Sequence, residues 1–185
     1  MSNPMKPLGL GFIGCGRIAQ AHLKAAANLP DRVRVVAIAG RRRDRAETAA
    51  RQFGVPVVAD DYRELLAHPE VEAVVLTTPN DSHAAIACDA AKARRHILVE
   101  KPMALDTQSA ESMAQAAEGA GVTLMVAQSR RFSDAAQEMV RRLPEIGEVF
   151  RVHVIFCVPF AQPPTDWWRS SSQAGGLVIL LQGSH

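Results

Sequence analysis

Three small residues set at close spacing make the first chemically meaningful group in the chain. Gly14, Gly16 and Ala19 stand in the run Gly14-Cys15-Gly16-Arg17-Ile18-Ala19. The pattern G-x-G-x-x-A follows an apolar stretch, Leu8–Ile13, and precedes a helical one. At such a junction it is the fingerprint of a dinucleotide site. Gly14 permits the tight strand-to-helix turn, Gly16 lets a pyrophosphate approach the backbone, and Ala19 is small enough for the helix to pack on a sheet. The backbone N–H groups of Cys15, Gly16, Arg17 and Ile18, at the positive end of the helix dipole, then face the phosphates.

A second group, Gly40-Arg41-Arg42, follows the next apolar run, Val33–Ala39. Rossmann domains selective for NAD place Asp or Glu at this strand end, to bind the ribose 2′-hydroxyl. Gly40 stands there instead. Loss of the carboxylate removes repulsion of a 2′-phosphate. Arg41 or Arg42 can then bind that phosphate through charge-assisted contacts and stack on adenine. The expected cofactor is NADP, with NAD as the alternative. The competing explanation is that the arginines from Arg41 to Arg45 are the basic start of a solvated helix.

The elements that position these groups alternate in type. Strands are expected at Leu8–Ile13, Val33–Ala39, Val55–Ala59, Val71–Thr77, His96–Val99 and Val122–Ala127. Helices are expected at Ile18–Ala27, Asp44–Phe53, Tyr62–Ala67, His83–Ala93 and Thr107–Ala120, the last closed by Gly121. Near-continuous apolar strands separated by helices predict an α/β fold, a doubly wound parallel Rossmann sheet covered on both faces. The composition changes after about Gln128. Arg131–Leu143 reads as one helix stopped by Pro144, and Val149–Val158 as one long strand of a different sheet. Residues 1–127 are thus expected to be the nucleotide-binding domain. Residues 128–185 are expected to begin an incomplete α/β substrate and oligomerisation domain.

Composition narrows the partners. The 185 residues are 48% hydrophobic and 22% charged with a net charge of +2, which gives no reason to expect a nucleic acid or a membrane surface. Cys15, Cys88 and Cys157 are widely spaced and odd in number, with no paired CxxC spacing for a metal and no disulfide framework, and reduced thiols in the cytoplasm are expected. No metal is expected. The N-terminal residues lack the apolar core of an export signal.

With Glu100-Lys101-Pro102 added, the chain resembles the Gfo/Idh/MocA oxidoreductases. The residues that carry the resemblance run in order: GFIGCGRIA from Gly11, TTPNDSH at Thr77–His83, HILVEKPMAL at His96–Leu105, QSRRF at Gln128–Phe132, GEVFRV at Gly147–Val152, DWWR at Asp166–Arg169 and GG…GSH at Gly175–His185. The resemblance implies a nicotinamide cofactor on the N-terminal domain and a substrate site shared with a C-terminal sheet. It places Glu100 and Lys101 beside the nicotinamide, with Lys101 as the acid–base group. A lysine partly desolvated near a cationic ring would have the lowered pKa that such work needs. Pro102 would be the rigid or cis bend that aims it. Read without the resemblance, Glu100 and Lys101 are equally a solvated charge pair before a turn.

His185 matches the second catalytic position of the family, a helper to Lys101. Many members carry an acid four residues earlier, where this chain has Leu181, followed by Gln182. Leucine cannot hydrogen-bond a substrate hydroxyl. Thr78, Pro79, Asn80 and His83 fall where the family passes the cofactor ribose and diphosphate; Asn80 or Asp81 could instead cap the following helix. Gln128 and Arg131 fall at the nicotinamide side and domain interface, where Arg131 is equally a surface ion pair. Trp167 and Trp168 read as inter-domain packing or as a wall for a sugar ring.

The expected function is an NAD(P)-dependent oxidoreductase that moves a hydride between nicotinamide and a carbinol of a sugar, cyclitol or polyol. The alternatives are a glycosidase of the same family with tightly held NAD, or a non-catalytic nucleotide-binding homologue. Only one strand of the second sheet is visible before His185, so the chain reads as a truncated form or fragment. Its full-length form is expected to be a homo-oligomer.

Overall fold

The computed structural model describes residues 6–153, 155 and 166–175. Six strands, β1 (Leu8–Ile13), β2 (Val33–Ala39), β3 (Val57–Ala59), β4 (Ala73–Leu76), β5 (His96–Val99) and β6 (Leu124–Val126), form one sheet in the order β3-β2-β1-β4-β5-β6. Every pairing is parallel. This is the doubly wound Rossmann arrangement read from the sequence. The chain winds outward from β1 to β3, then crosses back to β4 and winds the other way to β6. The reversal falls between β1 and β4, and in such sheets ligands bind at the carboxyl ends of those strands.

Helices cover both faces. On one, α1 (Arg17–Ala27) and α2 (Arg43–Phe53) set Leu23, Ala26, Ala46, Ala49 and Ala50 against Leu10, Phe12 and Ile38. On the other, α3 (Tyr62–Ala67), α4 (His83–Lys92) and α5 (Thr107–Ala120) set Leu65, Ile86, Ala90 and Met113 against Ile13, Val74, Leu76 and Val99. Each large side chain so buried contributes about 1.5–3 kcal/mol. The abundant buried alanines on α2 and α4 let those helices lie close to the sheet.

Local signals set the helix ends. Asp106 accepts a 2.7 Å bond from the Ser109 N–H at the start of α5, and Gly121 ends it at φ 67°. The helix expected from Arg131 instead begins three residues later. Ser133 caps it by accepting from the Ala136 N–H, giving α6 (Asp134–Arg142), and Ser129–Phe132 form a 3₁₀ turn before it. α6 buries no residue among those described.

The strand expected at Val149–Val158 is corrected over its described part. Residues 149–153 and 155 are not strand. No described backbone pairs with them, and without ladder partners an alternating apolar sequence has no strand to form. Residues 166–169 form a 3₁₀ turn and Ser171–Ala174 a single helical turn, α7. No described helix is long and apolar enough to cross a membrane.

Candidate active site at the strand carboxyl ends

The β1–α1 turn is built so that protein demands one glycine and leaves the other idle. Gly14 has φ +105°, and a β-carbon on it would lie 2.7 Å from the Thr77 carbonyl carbon. Its N–H bonds Ala39 O at 2.8 Å, and Thr77 Oγ1 donates to Gly14 O at 3.0 Å. The head of β1 is thereby pinned to the ends of β2 and β4. Gly16 differs. Its φ of −81° suits any residue, and a β-carbon there would meet nothing within 4 Å. Gly16 also starts α1 without a side-chain cap, and no acid occupies the first turn. The helix thus offers uncapped N–H groups, across open space, to an anion. Ala19 is fully buried, as its packing role requires, while Arg17 and Ile18 are exposed.

At the end of β2, the arginines divide by their partners. Arg42 binds Asp44 through two contacts, Nε–Oδ1 3.2 Å and Nη2–Oδ2 2.8 Å, and the hydrogen bond holds the Asp44 carboxyl below its usual range. Arg43 pairs with Glu47 and Asp60. Arg41 is exposed and has no ion pair among the described residues. Gly40 lies beside the fingerprint turn, and a β-carbon on it would meet Cys15 Sγ at 2.7 Å. Burial pushes the Cys15 thiol up to about 11, so it stays neutral.

After β4, Thr78 and Pro79 lead into a 3₁₀ turn, Asn80–Ser82. Neither Asn80 nor Asp81 caps α4; Ser82 holds the cap position and makes no side-chain cap bond. Asn80 is buried and its Nδ2 donates to Ala174 O at 3.2 Å, so the residues around α7 dock on this turn. His83 is fully buried behind it. Its ring nitrogens lie 3.0 Å from Pro102 O and 3.0 Å from Thr78 O. That ring meets backbone on two sides and braces two turns from within.

After β5, Glu100 N–H bonds Leu76 O at 3.0 Å, and the Lys101–Pro102 peptide is cis. Glu100 is not spent on a solvated pair. Its Oε1 accepts from His22 Nε2 at 2.8 Å and its Oε2 from the Lys101 backbone N–H at 3.0 Å. Lys101 is half-buried. Desolvation lowers its pKa from 10.5, the Arg130 charge lowers it further, and Glu100 opposes both. Gln128 follows β6 on the same edge, half-buried. Arg131 is exposed, and its neighbour Arg130 is the one felt by Lys101. Trp167 and Trp168 are half-buried and meet edge to face, with centroids 6.1 Å apart. His185, Leu181 and Gln182 lie outside the described residues.

The structure therefore brings Gly14, Cys15, Gly16, Gly40, Thr78, Glu100 and Lys101 to one edge of the sheet. A shallow hollow between α3 and α4, lined by Arg63, Leu66, Asp89 and Lys92, lies at the opposite end of the strands and has no part in it. His22 and Arg130 were not among the residues singled out from sequence. For His22 the available signal was a lone histidine on a fingerprint helix, one position before a core leucine.

Fold and edge together define a dinucleotide-binding Rossmann protein. The sequence pattern of the oxidoreductase family with an NAD-binding Rossmann fold matches residues 8–128. The chain belongs to the Gfo/Idh/MocA family of oxidoreductases. It is 30% identical over 172 residues to a myo-inositol 2-dehydrogenase of Thermotoga maritima, covering 92% of this chain and 50% of that protein. Among solved structures it matches KijD10, a 3-ketoreductase from Actinomadura kijaniata in complex with NADP and TDP-benzene, at 33% identity and a TM-score of 0.71, covering 76% of this chain and 43% of the other. It matches the WlbA dehydrogenase of Bordetella pertussis, in complex with NADH and UDP-GlcNAcA, at 30% identity and a TM-score of 0.71, covering 76% and 42%. The chain spans about half the length of the curated relatives it matches.

Proposed function

We propose that this chain is the cofactor-binding half of a dehydrogenase or reductase acting on a carbinol of a sugar, cyclitol or related polyol, with NADP preferred over NAD. One observation carries the reading. Lys101 stands on the same sheet edge as the uncapped α1 terminus, and its pKa is lowered by burial. The relatives named for inositol and nucleotide-sugar ligands support the substrate class.

Bound nicotinamide would supply the hydride acceptor or donor. The chain's own residues do the rest. The first N–H groups of α1 and the gap above Gly16 hold the pyrophosphate. Arg41, unpaired among the described residues, takes the ribose 2′-phosphate, where a carboxylate at position 40 would have repelled it. Thr78, Pro79 and Gln128 line the cofactor's path toward β5. Lys101 Nζ removes the hydroxyl proton during oxidation and returns it during reduction. His185 is proposed as its helper. Residues 1–127 form the nucleotide domain, and residues from 128 begin the substrate domain.

Titration of the chain with NADPH and NADH, followed by nicotinamide fluorescence, tests the reading, with a polyol screen for absorbance change as the second arm. NADPH should bind at least tenfold more tightly than NADH. Tight NADH with weak NADPH binding removes the Arg41 argument. Nucleotide binding without turnover favours a non-catalytic binding role.

A further inference from the structure

We propose that His22 is a positioning residue for Lys101, acting through the Glu100 carboxylate, and that it ties the phosphate-facing helix to the acid–base lysine. The role given to Lys101 rests on the dehydrogenase reading above; the linkage rests on geometry alone.

The geometry begins with strand alternation. On β5, Leu98 packs with the α1 and α2 side of the core, while Ile97 and Val99 pack with the α4 and α5 side. Successive side chains point to opposite faces, so Glu100 emerges on the α1 side. On α1, His22 precedes the fully buried Leu23 and is itself half-buried. Its ring reaches Glu100, 78 residues away in sequence.

The two carboxylate oxygens then have separate tasks. Oε1 is held by His22 Nε2 at 2.8 Å, and Oε2 holds the Lys101 N–H at 3.0 Å. With one oxygen tethered, the carboxylate cannot rotate away from the Lys101 amide. The His22 and Glu100 side chains are 22% and 14% exposed, so the contact is shielded from the water that weakens surface pairs. On the far side, His83 meets Pro102 O. The Lys101–Pro102 turn is thus gripped from α1 through Glu100 and from α4 through His83. Lys101 Nζ sits at the end of a chain grafted on that turn, and small displacements of an acid–base group cost large factors in rate. Helix α1, whose N-terminus faces the cofactor phosphates, and the turn that aims Lys101 therefore move as one body.

The test is amide hydrogen exchange, read by NMR on the full chain without nucleotide. His22→Ala should speed exchange at the Lys101 amide by about tenfold or more. The Glu100 amide, bonded to Leu76 O, and the β4 amide of Val75 should keep their rates. His22→Gln, whose carboxamide can donate to Oε1, should restore most of the protection. His22→Asn, with a shorter reach, should not. Unchanged Lys101 exchange in both the Ala and Asn variants overturns the proposal. So does an acceleration spread evenly over β4 and β5, which would mark a general structural role. In a second readout, His22→Asn should weaken NADPH several-fold and leave 2′,5′-ADP unaffected; equal weakening of both overturns the link to Lys101. If the unaltered chain binds neither NADPH nor NADH, the dehydrogenase reading falls while the exchange result still decides the linkage.

Discussion

Gly14 and Thr77 compete for the same space at the heads of adjacent strands. A β-carbon on Gly14 would stand 2.7 Å from the Thr77 carbonyl carbon and 2.8 Å from its oxygen, at a φ of +105°. Gly16, two residues on, has neither constraint. The same fingerprint thus contains a glycine required by the fold and one the fold does not require. Gly14→Ala should destabilise the chain by about 2–4 kcal/mol through strain and contact. Gly16→Ala should change stability by less than about 1 kcal/mol, yet weaken dinucleotide binding at least tenfold by filling the pyrophosphate approach. Thermal denaturation beside a fluorescence titration separates the two. Equal loss of stability in both variants would refute the distinction.

Arg41 and Arg42 are neighbours with different freedom. Arg42 already holds Asp44 through two bonds, and Arg41 has no ion pair among the described residues. Arg41→Ala should therefore reduce NADPH affinity by about tenfold, the worth of one charge-assisted bond to phosphate, and leave NADH affinity unchanged. Arg42→Ala should have the smaller effect on NADPH. Parallel titrations of the two variants with both nucleotides check this. A larger loss on removing Arg42 would assign the 2′-phosphate to that residue instead.

The pKa of Lys101 is lowered from 10.5 chiefly by desolvation and secondly by Arg130. Because the folded state favours the neutral amine, the unfolded chain binds this proton more readily. Stability linked to Lys101 must then rise as pH climbs from the lowered pKa toward 10.5. Lys101→Met should flatten that rise. Arg130→Gln should move the lysine pKa upward, read directly from the Lys101 side-chain resonances across a pH series. No movement would show that Arg130 has no influence on the amine.

These residues also show how far sequence reached and where it stopped. Helix α5 was legible to the residue because both ends carry local chemistry, Asp106 at one and Gly121 at the other. The strands β3, β4 and β6 begin two residues later than their apolar runs. A strand's limits are set by the partner across the ladder, and hydrophobicity alone does not carry that information. The same fact removes a strand at 149–153. At the site, the glycines announced themselves by spacing, and Lys101 and Pro102 by the family resemblance. His22 did not, because its meaning depends on a contact 78 residues away. For Asn80 the resemblance offered the cofactor's path and local rules offered a cap; it does not cap α4 and bonds Ala174 O, a tertiary contact no local rule encodes.

His83 gives the last prediction. Its ring is fully enclosed between Pro102 O and Thr78 O, and burial lowers its pKa below 6.5 although both carbonyls and Glu100 oppose the shift. With the folded pKa depressed, the unfolded chain takes up the proton first as pH falls. The stability tied to His83 is therefore complete above about pH 6.5 and declines as pH drops through the folded pKa. His83→Gln keeps a donor and removes the titration, so its unfolding free energy should vary less with pH in the acid range. His83→Leu would remove the single N–H of the neutral ring and leave one buried carbonyl without its donor, at about 1–3 kcal/mol, and should loosen the Lys101–Pro102 turn along with the turn after β4. Denaturant unfolding of the three proteins across pH 4–8 measures both effects. A Gln variant with the same acid dependence as the unaltered chain would show that the proton taken up on acid unfolding belongs elsewhere.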